Sequence, residues 1–329
     1  EPKVAGSSPA RCVSAKSPPR SPLIAIDLCC GAGGWACAAR GLAIAVGLAV
    51  DLWDAACTTY GLNHPDTRVI EADIRQPRAQ DAILHFARSV PRDRLVVVGG
   101  IPCEWLSTYR HLVKVKRHEL EDERKTLDAA LALVKAIEPR WWCLEDVKQL
   151  TRELPILTPW QEINARRYSA QRRKRVFVGD FPPPDPGRCT QVLADKVRPG
   201  PYRIGRRALG RTPRTHRTFT PAATLGAWPD RKGPTVASMS SRRDAEWVVV
   251  DERVPGGIRQ IEWQEAAALQ GFPEHYLFYG SPTDLALQIG RAIQIDAGRA
   301  ILIAMCRAAA RSGAEANRSP GGVRWGPAI

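Results

Sequence analysis

Three short apolar runs that carry an aspartate limit most strongly what this chain can fold into. They are Leu23–Leu28 with Asp27, Ile44–Asp51, and Val69–Ile74 with Asp73. Runs this short and this rich in Val, Ile and Leu read as strands buried on both faces, as in a parallel sheet. A fourth, Leu95–Val98, leads into Gly99-Gly100-Ile101-Pro102-Cys103. Helices are expected at Trp35–Gly41 and Asp54–Gly61, and a long amphipathic one over 117–138 is stopped by Pro139. Two more strands follow, at Trp141–Val147 and Val176–Phe181. Strands alternating with helices predict an α/β fold, a Rossmann-like, doubly wound mixed sheet. Later, a helix over Glu262–Leu269 and a last one through about Ala310 are expected.

The loops after the strands carry the chemistry, because open α/β sheets bind ligands at the carboxyl ends of their strands. The first strand leads into Cys29-Cys30-Gly31-Ala32-Gly33-Gly34. Glycines there let a ligand approach the backbone, and the next helix offers free N–H groups. The spacing D-L-x-x-G-x-G-G differs from the dinucleotide G-x-G-x-x-G. Asp51, about 20 residues on, is placed to accept hydrogen bonds from ribose hydroxyls, and Trp53 to stack on a purine. An isolated acid at a strand end more often caps the following helix. Asp27, Asp51 and Asp73 in succession would instead line one edge of the sheet. Cys103 follows the fourth strand, where a thiolate would be a strong nucleophile. Most free cysteines are small core residues, so a nucleophile needs partners. Glu145, Asp146 and the cluster Gln171-Arg172-Arg173-Lys174-Arg175 are available to supply them.

Charge points to the partner. The 329 residues hold 48 Lys and Arg against 34 Asp and Glu, a net charge of +14. That balance favours a polyanion, nucleic acid first. Arg198, Arg203, Arg206, Arg207, Arg211, Arg214 and Arg217 fall close together, with Tyr202, His216 and Phe219 interleaved. This pattern suits phosphate contacts. Pro182-Pro183-Pro184 marks a boundary. Residues 182–258 read as a small basic lobe, mostly irregular or β, and 23–181 with 259–310 as the catalytic domain. Residues 1–22 read as a disordered basic tail and 311–329 as a loose one. No run of 18 apolar residues occurs, so no segment is expected to span a membrane. The nine cysteines lack CxxC or Cys/His ligand spacing. No metal is expected, and reduced thiols fit a cytoplasmic location.

From Leu23 to about Arg307 these motifs resemble, in type and order, the DNA cytosine-5 methyltransferase family. Asp27-Leu28-Cys29-Cys30-Gly31-Ala32-Gly33-Gly34 resembles its S-adenosylmethionine motif. Gly99-Gly100-Ile101-Pro102-Cys103 resembles its nucleophile loop, and Glu145-Asp146-Val147 its Glu-Asn-Val motif. Gln171–Arg175 resembles its Gln-x-Arg-x-Arg motif, and Arg259 through Pro273 the motif after its recognition region. Gly290-Arg291-Ala292-Ile293 stands where the family has Gly-Asn-Ala-Val. The resemblance implies that Cys103 adds to C6 of a flipped-out cytosine in double-stranded DNA. Glu145 would bond N3 and the exocyclic amine, and Arg173, with Arg175 beside it, would lie near O2. It implies a cofactor site of Asp27, Leu28, Cys29, Gly31, Gly33, Gly34, Asp51, Leu52, Trp53, Asp73, Ile74, Arg291 and Ala292. It also implies a monomer, without metal, in a bacterial or phage-infected cell.

Four residues depart from the family pattern. Ile101 replaces a proline, Glu104 a glutamine, and Asp146 and Arg291 an asparagine each. The span from Glu145 to Gln171 is short, so one helix–strand unit is expected to be trimmed. Arg291 has two sharper readings. It forms a buried ion pair with Asp146, or it selects carboxy-S-adenosylmethionine and makes 5-carboxymethylcytosine. The rival readings of the whole chain are an RNA cytosine methyltransferase and an inactive DNA-binding homologue.

Overall fold

The computed structural model describes residues 22–102, 117–152, 154, 158–191, 202–206, 247–251, 258–260 and 262–316. Its main sheet contains β1 (Leu23–Leu28), β2 (Ile44–Asp51), β3 (Arg68–Glu71), β4 (Leu95–Gly100), β5 (Trp141–Asp146), β6 (Trp160–Asn164) and β7 (Lys174–Val178). The strand order is β3-β2-β1-β4-β5-β7-β6. Strands β1 to β5 pair in parallel, and β7 runs antiparallel between β5 and β6. The order reverses between β1 and β4, which opens a ligand crevice at their carboxyl ends.

The helices are α1 (Gly34–Ala39), α2 (Asp54–Asn63), α3 (Pro77–Arg88), α4 (Arg117–Ile137), α5 (Trp263–Gln270), α6 (Pro282–Arg291) and α7 (Ile295–Ala316). Strand β4 shows why both faces of the sheet are covered. Val96 and Val98 join the core that holds Trp35 of α1 and Ile301, Leu302 and Met305 of α7. Leu95 and Val97, one residue out of phase, join the core of Ile83 from α3 and Leu127, Leu133 and Val134 from α4. Each such side chain contributes about 1.5–3 kcal/mol when fully buried.

The structure revises several expectations. β3 ends at Glu71, so Asp73 sits on the loop beyond it. β6 corrects the expected loss of a helix–strand unit. The strand is present, and the described residues before it hold only the 3-10 turn Lys148–Arg152. The sequence reads Gln288–Ile293 as leading into the last helix, whereas Gln288–Arg291 end a separate one. α6 forms first, capped by Ser281 and Asp284 with Pro282 in its first turn. The chain breaks at Ala292, and α7 then runs to Ala316, past the expected Ala310.

A second, antiparallel sheet holds β8 (Tyr202–Arg206), β9 (Trp247–Asp251) and β10 (Ile258–Gln260) in the order β10-β9-β8. Arg203 and Arg206 stand opposite Val250 and Trp247 in its register. Arg198, Arg207, Arg211, Arg214 and Arg217 lie outside the described residues. Among the described residues no helix is long and apolar enough to cross a membrane, and no group of three or more His, Cys, Asp or Glu could hold a metal.

Candidate active site

The glycine turn after β1 is held by the acid at the end of β2. Gly31 N–H donates to Asp51 Oδ2 at 2.7 Å and Trp53 N–H to Oδ1 at 2.9 Å. Burial pushes the Asp51 carboxyl up from its ordinary value, while these two bonds and the charge of Arg291 pull it back. Gly33 has φ +89°, and a Cβ there would lie 2.7 Å from Tyr276 Oη. No other residue meets both demands. Gly34 packs against Ile293 and Ala292, so the turn is joined to the break between α6 and α7.

Asp27 is wholly buried beneath this turn. Tyr60 Oη donates to its Oδ2 at 3.4 Å, while Oδ1 has no hydrogen-bond partner among the described residues. Burial first, and the neighbouring Asp51 second, push its carboxyl well above the usual range. Asp73 is the opposite case. Arg75 grips it through Nε at 2.9 Å to both oxygens and Nη2 at 2.7 Å. That hydrogen bonding holds it below the usual carboxylate value. Leu28 and Ile74, expected as cofactor contacts, place their side chains in the core, so only their backbone borders the edge. Leu52 is exposed and Trp53 half-buried. Arg291 corrects one expectation: its guanidinium lies 5.6 Å above the Trp53 ring and is exposed. It is therefore not the buried counter-ion of Asp146, which is 1% exposed.

The second half of the site gathers at the end of β5. Glu145 is 5% exposed. Arg175 Nε lies 3.1 Å from its Oε1 and Arg173 Nη2 3.9 Å from the same atom. Arg173 is buried, and its Nη2 also donates to the carbonyls of Gly290 at 3.3 Å and Ala292 at 3.2 Å. Gly100 stands opposite Glu145 in the β4–β5 register, and Ile101 N–H donates to the Glu145 carbonyl at 3.2 Å. The described segment Gly99–Pro102, which precedes Cys103, thus leaves the sheet beside Glu145. Cys103 and Glu104 themselves lie outside the described residues.

The sequence motifs contain two glutamines here but do not show that they meet, and they leave Tyr276 and His64 unassigned. Gln171 Nε2 donates to Gln270 Oε1 at 3.1 Å, and Gln270 Nε2 donates to the Ala292 carbonyl. Both glutamines are fully buried. With Arg173 they clamp the α6–α7 break from two sides. Beneath the glycine turn, Tyr276 Oη donates to the Ala32 carbonyl, which leaves its oxygen to accept from His64 Nε2 at 3.0 Å. His64 is therefore neutral with its proton on Nε2, and burial holds it down at about 4.

A pH effect follows from that pair. An unfolded histidine takes up its proton near pH 6.5, the folded one only near 4. Between those values the unfolded state binds more protons, so His64 makes stability fall as pH drops. Asp27 and Asp51, with raised values, act in the opposite direction. The difference between wild type and His64→Gln in urea unfolding isolates the histidine. Wild type should lose about 1–2 kcal/mol relative to the variant from pH 7 to 4, after discounting for the ring's partial exposure. Parallel curves would refute the burial of a neutral His64 ring.

Solved structures share this architecture. A DNA modification methyltransferase encoded within a prophage (E. coli) aligns with a TM-score of 0.58 at 16% identity, over 85% of this chain and 97% of that one. The S. pombe Dnmt2 methyltransferase aligns with the same TM-score at 13% identity, over 87% and 98%. The fold is thus that of the Rossmann-like methyltransferases. The family model for C-5 cytosine-specific DNA methylases matches residues 23–154 and 203–307, and the chain belongs to that family. Type II methyltransferase M.NgoMIV of Neisseria gonorrhoeae is 24% identical over 320 residues, 84% of this chain and 95% of its own length. M.AquIA of Picosynechococcus is 34% identical over 124 residues, 37% of this chain and 48% of its own. The protein is a DNA cytosine methyltransferase, and the family's methyl donor is S-adenosylmethionine.

Proposed function

We propose that the chain methylates C5 of cytosine in duplex DNA through a transient covalent bond to Cys103. The observation that carries this reading is the pairing of Glu145 with Arg175 and Arg173 where Gly99–Pro102, the residues before Cys103, leave the sheet. Cys103 adds to C6, and the electrons of the 5,6 double bond make C5 nucleophilic. Glu145 shares a proton with N3 and receives a hydrogen bond from the exocyclic amine. Arg173, fixed by two carbonyls, offers positive charge near O2 as the ring becomes electron-rich. After C5 takes the methyl group, loss of the C5 proton and expulsion of the thiolate restore the enzyme.

The edge at β1 to β3 fits S-adenosylmethionine. A Cβ at Gly31 would have no atom within 4 Å, so the turn faces open space. Asp27 Oδ1 is a buried acceptor left over beneath it. Leu52 exposes 62% of its surface at the end of β2, an apolar platform for a purine. Asp51 would hold the ribose and Asp73 the adenine. When bound, the cofactor supplies a methyl group on a sulfonium, open to attack by carbon. The lobe at 182–258 would read the DNA, and the protein would act as a monomer.

Transfer of a labelled methyl group to duplex DNA and to tRNA, followed by nucleoside mass spectrometry, tests this. The expected result is 5-methylcytosine in DNA. Product in tRNA alone would make the RNA reading the correct one, and no product in either would indicate an inactive homologue. Arg291 supports a second reading of the donor. Its exposed guanidinium sits over Trp53, and its charge reaches Asp51, so it borders the cofactor edge. There it could pair with the carboxylate of carboxy-S-adenosylmethionine. Supplying that donor should then yield 5-carboxymethylcytosine with wild type and none with Arg291→Asn. Absence of the product from wild type would exclude this donor.

A further inference from the structure

A further group of cations lies at the outer strand of the sheet. From Asn164 to Arg175 the chain carries six cations and no acid. Arg173 and Arg175 turn inward to Glu145, whereas Arg166, Arg167 and Lys174 are exposed. β7 is antiparallel to both its neighbours, so β6 points the same way as β5. The 3-10 turn Ala165–Arg167 at its end therefore shares an edge with Glu145. One strand intervenes, an offset of about 10 Å to the side, and because Glu145 is level with Gln161 the turn begins about 13 Å further along the strand direction.

A groove of about 410 Å³ opens there between β6 and the proline segment, with Arg166, Arg167, Lys174 and Glu162 in its lining. Its shape is set by backbone. Tyr168 Oη donates to the Asp185 carbonyl at 3.0 Å and Cys189 N–H to the Arg167 carbonyl at 2.9 Å. A Cβ on Gly187 would lie 2.3 Å from that same Arg167 oxygen, so the proline segment is drawn tightly against the turn. Glu162 pairs with Lys148 at 3.1 Å and Lys174 at 3.4 Å, and the lysines hold it below the usual carboxylate range. In the lining, Arg166, Arg167 and Lys174 stand with the one acid Glu162, and Asp185, between the two lining prolines, pairs with Arg307. Neither Arg166 nor Arg167 takes part in an ion pair with another described residue.

We propose that this groove, through Arg166 and Arg167, binds phosphates of the substrate duplex beside the target cytosine. The inference rests on the reading that duplex DNA is the substrate. Two guanidiniums on a rigid turn match phosphate oxygens in geometry. A base drawn out of the stack also needs its flanking backbone held.

The test is the salt dependence of binding, read by fluorescence anisotropy with the full chain and a labelled duplex of mixed sequence. The Arg166→Ala, Arg167→Ala double variant should flatten the slope of log K against log salt by about 1.8, or roughly 0.9 for each phosphate the protein no longer neutralises. Glu162→Gln should bind more tightly, because it releases Lys148 and Lys174. The two arginines are exposed and in no ion pair with a described residue, so the thermal midpoint of the double variant should not move. A wild type without salt-dependent duplex binding would refute the DNA reading itself. A steep wild-type slope retained in the double variant would overturn the groove proposal alone. So would a variant that loses tRNA affinity while keeping the duplex slope.

Discussion

Replacing Cys103 with serine removes methyl transfer to duplex DNA, with kcat falling by at least about 10³-fold while duplex affinity stays unchanged. The reason is the nucleophile itself. A thiol near neutral pH is already partly thiolate, and guanidiniums nearby increase that fraction. A serine hydroxyl holds its proton and needs a strong base, which the edge around Glu145 does not offer among the described residues. A duplex carrying 5-fluorocytosine makes the difference visible. Fluorine at C5 cannot leave as a cation, so elimination stops and the wild-type adduct survives denaturing electrophoresis. Cys103→Ser should give no such band. Cys306→Ala should keep it, since burial pushes the Cys306 thiol up. An adduct formed by Cys103→Ser, or activity within tenfold of wild type, would place the nucleophile elsewhere. The buried cysteines are poor substitutes on physical grounds: the Cys30 and Cys143 thiols are held well above their ordinary value.

The sheet was legible because its strands announce themselves locally. Leu95–Val98 is apolar on both faces, and both cores claim it. The acids at β1 and β2 fell where the pattern put them, because a carboxylate at a strand end needs only the strand to be placed. Elements without that apolar continuity are harder to read. Trp160–Asn164 carries Gln161 and Glu162, as suits an outermost strand with one open edge. The start of α6 does have a local signal, since Ser281-Pro282-Thr283-Asp284 forms a capping box. The apolar run after it masks that signal by reading on into the last helix.

The site was less legible wherever a side chain's role depends on distant partners. Asp73 reads in sequence as a cofactor contact, and nothing in its run of residues shows that Arg75 folds back onto it. That grip depends on the turn in which Gln76 N–H donates to the Asp73 carbonyl. Gln171 and Gln270 lie 99 positions apart, and their bond exists only after the return segment has docked. Arg291 shows the same limit in reverse. Its change of charge is evident in sequence, but only the fold decides between Asp146 and the indole of Trp53.

Substituting glutamine for Glu145 should lower kcat by about 10²–10⁴-fold, the usual contribution of a positioned proton-transfer group. The amide keeps the shape of the side chain and can still donate to N3, but it cannot pass a proton back and forth. The surrounding charges make the result interpretable. Arg173 keeps its carbonyl partners on Gly290 and Ala292, and Arg175 keeps the Lys174 carbonyl at 2.9 Å. Neither guanidinium is left without a partner, so the stability cost should stay near 1–3 kcal/mol, that of a lost bond to a charged group. Glu145→Ala is the harsher change. It removes the carboxylate and leaves space beside two cations, at about 3–5 kcal/mol. The two variants therefore separate the roles. A catalytic Glu145 makes both nearly inactive even where the Gln variant is well folded. A Glu145 that only neutralises Arg173 and Arg175 makes activity track the melting temperature, with the Gln variant within tenfold of wild type. Adduct formation with 5-fluorocytosine DNA distinguishes them further, because a Glu145 that acts at N3 promotes the attack of Cys103 on C6, so its loss slows the adduct before any methyl group moves.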